Sequence, residues 1–323
     1  MVDFHGLGTF RRTPSDPELL AGAHRWGDRD HGLARPARGA AGCQELSFTH
    51  GGNGMNDTAI PSQYVTTTSR ADIEQALVAA GKDLDRLQAA DLAMMEDYHT
   101  GGRIATGQLV DLVDITPDSE VLDAGAGIGG TARYLAARFG CAVAAVDLSD
   151  EYCETARWLN RLVGLDDRIV VRQGDVTTLP FDDSSFDVVF SQHVQMNVAD
   201  KDGLYQEARR VLKAGGQLAL WDITAGNGRE LDYPLPWADV PDHTHLSTPA
   251  AVRAAIEAAG FTVKHWRDLT EEVGTMMRTM GSLPPSPLGL HAFVPNFRER
   301  VKNLSEALTD GRLQAIQAVA LAR

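Results

Sequence analysis

A glycine-rich turn close to several acidic residues outlines a site for a charged small molecule. Residues 121–130 read VLDAGAGIGG. This stretch satisfies G-x-G-x-x-G through Gly125, Gly127 and Gly130, and it also satisfies G-x-G-x-G through Gly125, Gly127 and Gly129. Glycines in such a turn let a ligand approach the backbone closely. The glycines alone leave open which ligand that is.

Three carboxylates discriminate between the ligand classes that use such a turn. A dinucleotide places an anionic pyrophosphate over the glycines, whereas S-adenosylmethionine (SAM) carries an ammonium and a sulfonium and has no phosphate. Asp123, two residues before Gly125, repels a pyrophosphate but suits an ammonium. Asp147 can accept hydrogen bonds from ribose hydroxyls in either class, and Asp175 can accept one from an adenine amino group. The third acid favours SAM.

Alternating strand and helix patterns position these acids. From EVLDAG to QLALWDIT, short apolar runs rich in Val, Leu and Ala alternate with amphipathic helical patterns. This alternation predicts an α/β fold with a doubly wound, Rossmann-like and mostly parallel sheet. The run FTVKHWRDL continues the sheet, and LQAIQAVALAR is predicted to be a final antiparallel strand. The acids follow strands, so we expect them to meet at one sheet edge.

The chain divides into three predicted parts. Residues 1–54 are rich in glycine and arginine without helical or strand periodicity, which indicates a disordered segment. Apolar residues at three- and four-residue spacing predict a helical cap over the active site in residues 55–118. Residues 119–323 form the predicted main domain, with a substrate-covering insertion around 226–247. Because residue 55 is a methionine, one hypothesis starts the working chain there.

Composition excludes several classes of partner. The formal net charge of −14 opposes both the phosphate backbone of nucleic acids and anionic membrane surfaces, so neither is an expected partner. The sequence contains no apolar run of membrane-spanning length and no secretory pattern, so a cytoplasmic location is expected. Three irregularly spaced cysteines fit neither a disulfide framework nor a zinc site. No metal is expected.

Four motifs carry a family resemblance over roughly residues 97–323. DAGAGIGG, AVDLS, FDVVFSQHVQMNVADK and RRVLKAGGQLALWD resemble, in order and spacing, the class I SAM-dependent methyltransferases of the methyltransferase type-11 group. YHTGGRIAT, SQHVQMN and PLPWA are similar to the sarcosine/dimethylglycine N-methyltransferase-like branch. The resemblance implies an enzyme that transfers a methyl group from SAM to a nitrogen or oxygen of a small-molecule acceptor. S-adenosylhomocysteine would be the product.

The candidate site has a cofactor-binding, a substrate-binding and a catalytic part. His193 follows the fourth strand, where this class places residues near the transferable methyl, and it is the candidate catalytic residue. The predicted substrate-binding residues are Tyr98, His99, Asn197 and Trp237. The predicted cofactor-binding residues are Asp123, Gly125, Gly127, Gly129, Asp147, Leu148, Asp175, Val176, Ser191 and Gln192.

Structural alternatives stand beside these roles. Asp147 could instead cap the helix that begins near Asp150, and Asp175 could be a solvated turn carboxylate. His193 could be a hydrogen-bonded wall residue, and the amide and aromatic candidates could be ordinary packing. Two other functions share the same sheet: an NAD(P)-dependent oxidoreductase and a non-catalytic SAM-binding protein. The oxidoreductase would have to place its pyrophosphate beside Asp123.

Overall fold

A twisted sheet runs through the part of the chain that the computed structural model describes, residues 69–281 and 288–323. Its strands are β1 (Glu120–Ala124), β2 (Ala142–Asp147), β3 (Ile169–Gln173), β4 (Phe186–Gln192), β5 (Leu212–Ala225), β6 (Phe261–Asp268) and β7 (Leu313–Ala322). They lie in the order β3-β2-β1-β4-β5-β7-β6. The pairings among β1 to β5 are parallel, and β7 runs antiparallel to both β5 and β6. The predicted fold class is confirmed.

Helices cover the sheet and precede it. They are α1 (Ser69–Ala79), α2 (Ala89–Glu96), α3 (Gly102–Val110), α4 (Gly130–Phe139), α5 (Asp150–Leu162), α6 (Lys201–Val211), α7 (Pro249–Ala258), α8 (Thr270–Gly281) and α9 (Phe297–Thr309). Helices α1 to α3 lie within the predicted cap region. The predictions of a disordered segment over 1–54 and of a start at Met55 lie outside the described residues.

Local sequence signals explain where two of the helices begin. The Ser149 hydroxyl accepts a hydrogen bond from the Tyr152 amide and caps α5, whose first turn is acidic and so complements the helix dipole. At α7, the Thr248 hydroxyl accepts from the Ala251 amide and Pro249 occupies the first turn. The Thr-Pro pair is therefore a helix start, as the sequence indicates.

Two apolar clusters within residues 69–281 and 288–323 pack helices and the cap against one another and against the sheet. The larger one joins the inner faces of β1, β2, β4, β5 and β7 to α3, α4, α8 and α9. The smaller one joins the cap to α5, and Ile73 and Leu92 pack there with Trp158 and Phe293. Burial of large apolar side chains of this kind contributes roughly 1.5–3 kcal/mol each. The cap is therefore packed onto the main domain through its own apolar face.

A buried ion pair links the cap to the glycine turn. The side chains of Glu96 at the end of α2 and Arg133 in α4 are both fully buried. The Arg133 guanidinium donates to Glu96 Oε2 at 2.9 Å, to Asn160 Oδ1 at 2.9 Å and to the Ile128 carbonyl at 2.6 Å. Because Ile128 belongs to the turn, one side chain fixes α2, α4, α5 and the turn to one another.

Replacing Arg133 is predicted to destabilise the protein strongly. Arg133→Met leaves the buried Glu96 carboxylate with Arg103 as its remaining partner and removes the donor to Asn160 and the Ile128 carbonyl, which is expected to cost about 3–5 kcal/mol, as for a broken buried pair. Arg138→Met on the same helix is the matched control, because Arg138 is 41% exposed in its pair with Asp111 and such pairs contribute about 0–1 kcal/mol. Urea unfolding measures both changes. Equal losses in the two variants would contradict the role given to the buried pair.

Candidate active site

Three glycines of the turn adopt left-handed backbone conformations. The φ values of Gly125, Gly127 and Gly129 are 79°, 54° and 85°, which residues other than glycine rarely adopt. A Cβ at Gly125 would lie 2.3 Å from Val194 Cγ2, whereas one at Gly127 would meet nothing within 4 Å. Gly125 is therefore required by packing against the loop after β4, and Gly127 borders open space.

Gly130 serves a different purpose. A Cβ there would lie 2.5 Å from Asp97 Oδ1 and 2.8 Å from the Glu96 carbonyl. The fourth glycine thus permits the close approach of α2 to the start of α4. Of the two glycine patterns in the sequence, G-x-G-x-G describes the turn, and Gly130 belongs to the contact with the cap.

Asp123 lies beneath the turn and faces the start of α4. It is 3% exposed, and its Oδ2 accepts a hydrogen bond from the Ala132 amide at 3.1 Å. Burial raises the pKa of this carboxyl to about 7, even though the Ala132 bond lowers it. Asp123 therefore changes its charge near neutral pH.

Asp147 holds the turn through its carboxylate. Its Oδ2 accepts from the Gly127 amide at 2.8 Å and its Oδ1 accepts from the Ser149 amide at 2.9 Å. Burial is the main influence on its pKa, which it raises. Because Ser149 caps α5, the alternative role of Asp147 as that cap is not the observed one. Leu148, which follows it, is 52% exposed although apolar.

The end of β3 lies beside the end of β2. The Gly174 amide donates to the Asp147 carbonyl at 3.0 Å. Asp175 is exposed, and its Oδ1 accepts from both the amide and the hydroxyl of Thr177 at 2.8 Å. Val176 is buried. This geometry is that of a carboxylate in a turn, and a contact between Asp175 and adenine stays a prediction.

Ser191 and Gln192 end β4 as buried polar residues. The Ser191 hydroxyl has no hydrogen-bond partner among residues 69–281 and 288–323. Gln192 Oε1 accepts from the Thr131 hydroxyl at 2.9 Å, and its Nε2 donates to His99 Nε2 at 3.2 Å. Gln192 thereby connects the start of α4 with the cap.

His193 has an unusual backbone and a buried ring. Its φ is 56°, in the left-handed region, and its Nε2 lies 3.2 Å from the Thr100 amide and 3.0 Å from the Thr100 hydroxyl. The Trp221 Nε1 proton is donated to the same hydroxyl at 2.9 Å. Burial lowers the pKa of His193 well below its usual value. The ring is therefore neutral at pH 7.

A small cavity lies between the cap and the loops that follow β4 and β5. Its volume is about 10 Å³, about the space of one water molecule, and it is lined by Tyr98, His193, Met196, Pro236 and Trp237. The Tyr98 hydroxyl donates to the Pro236 carbonyl at 2.8 Å. The Trp237 Nε1 donor is buried and has no partner within the described part of the chain. The structure thus brings together Tyr98, His193 and Trp237, all three predicted from the sequence.

The other two predicted substrate residues lie beside this cavity rather than in its lining. His99 contacts the Thr100 carbonyl through Nδ1 and the Thr106 hydroxyl and Gln192 amide through Nε2. Asn197 donates to the His193 carbonyl at 3.3 Å. Sequence reasoning missed two lining residues, Met196 and Pro236, although both belong to motifs that it singled out, SQHVQMN and PLPWA.

Lys201 is a further residue that the sequence did not reveal. Its ammonium donates to the carbonyls of Gln195 at 2.5 Å and His245 at 2.6 Å, and also to that of Val198. Burial lowers its pKa to about 8. Lys201 therefore ties the loop after β4 to the segment after β5, and these two segments border the cavity.

Asp222 supports the same loop from beneath. Its Oδ2 accepts from the Val194 amide at 3.4 Å and the Gln195 amide at 3.3 Å. Burial raises its pKa to about 7, while the nearby Lys201 lowers it.

In the described residues, no group of three or more His, Cys, Asp or Glu side chains is arranged to hold a metal ion, and no helix has the length and apolarity needed to cross a membrane.

The raised pKa of Asp123 predicts a pH-dependent gain in stability for Asp123→Asn. The carboxyl ionises near pH 3.9 when unfolded and near 7 when folded, so the folded state binds the extra proton between these values. The bound proton therefore stabilises the folded wild type at low pH, and this contribution to the free energy of unfolding is lost as the pH rises from about 4 to 7. Asparagine keeps an acceptor for the Ala132 amide and cannot ionise.

Urea unfolding of both proteins without cofactor at pH 4.5 and pH 8 tests this. The free energy of unfolding of Asp123→Asn relative to that of wild type should rise between pH 4.5 and pH 8 by more than about 1.4 kcal/mol, the equivalent of one pKa unit. Asp182→Asn at an exposed position controls for the loss of one surface charge. A constant difference between Asp123→Asn and wild type would refute the assignment.

Comparison with known proteins identifies the domain. Residues 122–220 match the family model described as a methyltransferase domain. The glycine/sarcosine/dimethylglycine N-methyltransferase of Actinopolyspora halophila is 33% identical over 176 residues, 54% of this chain and 31% of that protein. The sarcosine/dimethylglycine N-methyltransferase of Halorhodospira halochloris is 36% identical over 157 residues, 49% of this chain and 56% of that protein. The matched stretches thus span from about a third to just over half of the length of these relatives.

A solved structure supports the fold independently. The geranyl diphosphate C-methyltransferase from Streptomyces coelicolor A3(2), solved with Mg²⁺, geranyl-S-thiolodiphosphate and S-adenosyl-L-homocysteine, superposes with a TM-score of 0.60 at 19% identity. The superposition covers 82% of this chain and 96% of that one. Residues 122–220 are thus a methyltransferase domain, and about half of the chain is similar to the sarcosine/dimethylglycine N-methyltransferases.

Proposed function

We propose that this protein transfers a methyl group from SAM to a nitrogen or oxygen of a small-molecule acceptor and releases S-adenosylhomocysteine. The observation that carries the proposal is the arrangement of the turn: Gly127 borders open space and is held by Asp147, with buried Asp123 beneath. A cationic ligand without phosphate suits two carboxylates at this turn. The alternative of a nicotinamide dinucleotide would bring its pyrophosphate against them.

The cofactor-binding side chains have proposed contacts. Asp123 accepts a hydrogen bond from the ammonium of SAM directly or through water. Asp147 accepts hydrogen bonds from the ribose hydroxyls in place of those from its two backbone amide donors. Exposed Leu148 and buried Val176 provide apolar contact for the adenine ring, and Asp175 accepts from its amino group. Ser191 and Gln192, at the end of β4, lie on the side of the methionyl group.

The chemistry is an in-line displacement. A lone pair of the acceptor attacks the methyl carbon while the carbon–sulfur electron pair returns to sulfur, so the sulfonium becomes a neutral thioether. The leaving group needs no proton. Holding the nucleophile in line at near-attack distance can therefore supply much of the rate enhancement, up to about 7–11 kcal/mol.

We propose the cavity lined by Tyr98, His193 and Trp237 as the acceptor site, with His99 and Asn197 in supporting positions. The hydrogen bond from Tyr98, which follows α2, to the Pro236 carbonyl supports the helical cap and the insertion around 226–247 as the cover of this cavity. They would exclude water and select the acceptor. Since the two bacterial relatives are named for glycine, sarcosine and dimethylglycine, small amines are the first acceptors to test.

SAM and S-adenosylhomocysteine are predicted to bind in the micromolar range, and NADH is predicted not to bind. Asp147→Asn should weaken SAM binding at least about tenfold, because it weakens two charge-assisted hydrogen bonds to ribose worth about 1.5–3 kcal/mol each. Asp150→Asn, three residues away and exposed, is the matched control. Isothermal calorimetry measures all of these affinities.

One result would overturn the cofactor assignment, and another would overturn the role given to Asp147. One is tighter binding of NADH than of SAM. The other is equal SAM affinity in Asp147→Asn and wild type, which would limit Asp147 to supporting the turn. Detection of methylated product with a panel of amines, phenols and sugars separates an enzyme from a protein that only binds SAM.

Replacement of His193 is predicted to report the nature of the nucleophile. For a hydroxyl acceptor, a base is needed, and His193→Ala should lower kcat by about 10²–10⁴-fold with little change in SAM affinity. For an amine acceptor, which loses its proton to solvent, the same change should mainly raise KM. Steady-state kinetics over a pH series distinguish these outcomes.

The backbone at His193 requires a matched variant. Because φ is 56°, alanine adds backbone strain, whereas asparagine tolerates the left-handed region. His193→Asn therefore separates loss of the ring from loss of the backbone conformation. Wild-type kcat and KM in both variants would remove His193 from the acceptor site.

A further inference from the structure

Thr100 links Trp221 to His193 in a chain of hydrogen bonds with a fixed direction. The indole Nε1 of Trp221 is only a donor, so at 2.9 Å the Thr100 hydroxyl oxygen must be the acceptor. The hydroxyl's own proton then remains to be donated. The imidazole Nε2 of His193 lies 3.0 Å away from the hydroxyl oxygen.

The backbone reinforces this direction. The Thr100 amide is also only a donor, and it points at the same Nε2 from 3.2 Å. A proton on Nε2 would face the amide proton directly. Two donors from one residue therefore require an unprotonated Nε2, and in a neutral imidazole the proton must be on Nδ1.

The neighbouring histidine is fixed in the same way. Gln192 Nε2 donates to His99 Nε2, while His99 Nδ1 faces the Thr100 carbonyl, which can only accept. His99 is thus also a neutral Nδ1–H ring, and both of its nitrogens are engaged. It supplies no charge or proton to His193, whose ring centre is 6.0 Å away.

His193 differs from His99 in having one ring nitrogen left over. Its Nδ1 has no hydrogen-bond partner among residues 69–281 and 288–323, and it is not among the fully enclosed polar atoms of that part of the chain. The His193 side chain lines the cavity with Tyr98 and Trp237. Nδ1 is therefore the polar group that His193 can offer to a molecule in the cavity.

We propose that Thr100 and Trp221 are positioning residues that hold His193 as the Nδ1–H tautomer, so that His193 meets the acceptor as a hydrogen-bond donor. The role toward the acceptor rests on the proposed function, whereas the tautomer does not. In this state His193 cannot take a proton from the acceptor, because Nδ1 already carries one and Nε2 is turned toward Thr100. The acceptor must present a lone pair to His193, and its nucleophile must arrive deprotonated, which favours an amine over a hydroxyl.

The tautomer is measurable by NMR on the full-length, ¹⁵N-labelled protein without any ligand. Long-range correlations between ring nitrogens and ring carbon-bound protons distinguish a protonated nitrogen from an unprotonated one. The His193 signals are assigned among the ten histidines by their loss in His193→Asn. At pH 7 we expect a protonated Nδ1 and an unprotonated Nε2. A protonated Nε2, alone or together with Nδ1, would overturn the proposal.

Two threonine variants test the positioning role. Thr100→Val removes the hydroxyl donor, so the His193 Nε2 resonance should move toward that of a nitrogen without a hydrogen bond. Thr106→Val removes the corresponding hydroxyl from His99 and should shift the His99 signals while leaving those of His193 in place. Trp221→Phe, which removes the indole donor together with part of the buried ring, should shift His193 in the direction of Thr100→Val.

The outcomes separate this inference from the proposed function. An unchanged His193 Nε2 resonance in both Thr100→Val and Trp221→Phe would refute the positioning role even if SAM binds and methyl transfer occurs. Conversely, the expected spectra in a protein that fails to bind SAM would leave the tautomer established and reject the proposed function. Thermal melting of each variant verifies that the spectra come from folded protein.

Discussion

The buried pair between Glu96 and Arg133 is the constraint on which the rest of the site depends. Two charges without exposure to water are stable together only when further hydrogen bonds complete their shells, and Arg133 also bonds to Asn160 and to the Ile128 carbonyl in the turn. The end of α2 is therefore fixed against the start of α4. Thr100 follows four residues after Glu96, so the same pair also sets the position of the cap side of the cavity proposed for the acceptor.

A second set of buried polar contacts fixes the opposite side of the cavity. Asp222, near the end of β5, accepts from the amides of the loop after β4. Lys201 donates to three carbonyls and so joins this loop to the segment after β5. Buried groups of this kind are costly unless satisfied. These hydrogen bonds therefore fix the loop after β4. His193 is held between this loop's contacts and the cap, even though its backbone lies in the left-handed region.

The sequence predicted what local pattern encodes. Strand and helix periodicity predicted the sheet. The spacing of Asp123 and Asp147 from the glycines predicted where β1 and β2 end. Helices α8 and α9 were not recognised. The roles of Gly130, Arg133 and Lys201 depend on contacts with elements distant along the chain, and no single-sequence pattern reports those. Met196 and Pro236 lie in motifs that were recognised, but which side chains of a loop face a cavity is decided by the fold around it.

Burial drives the ionisable groups of the site toward neutrality. It raises the pKa of Asp123 and Asp222 to about 7 and lowers those of His99 and His193. An ammonium placed beside Asp123 opposes the effect of burial and lowers the pKa of that carboxyl again. Binding of a cationic cofactor near pH 7 is therefore linked to release of a proton from Asp123, whereas His193, held by donors on Nε2, keeps its neutral form. In the proposed complex, the charge that matches the cofactor thus develops at the turn, and the cavity proposed for the acceptor stays uncharged at His193.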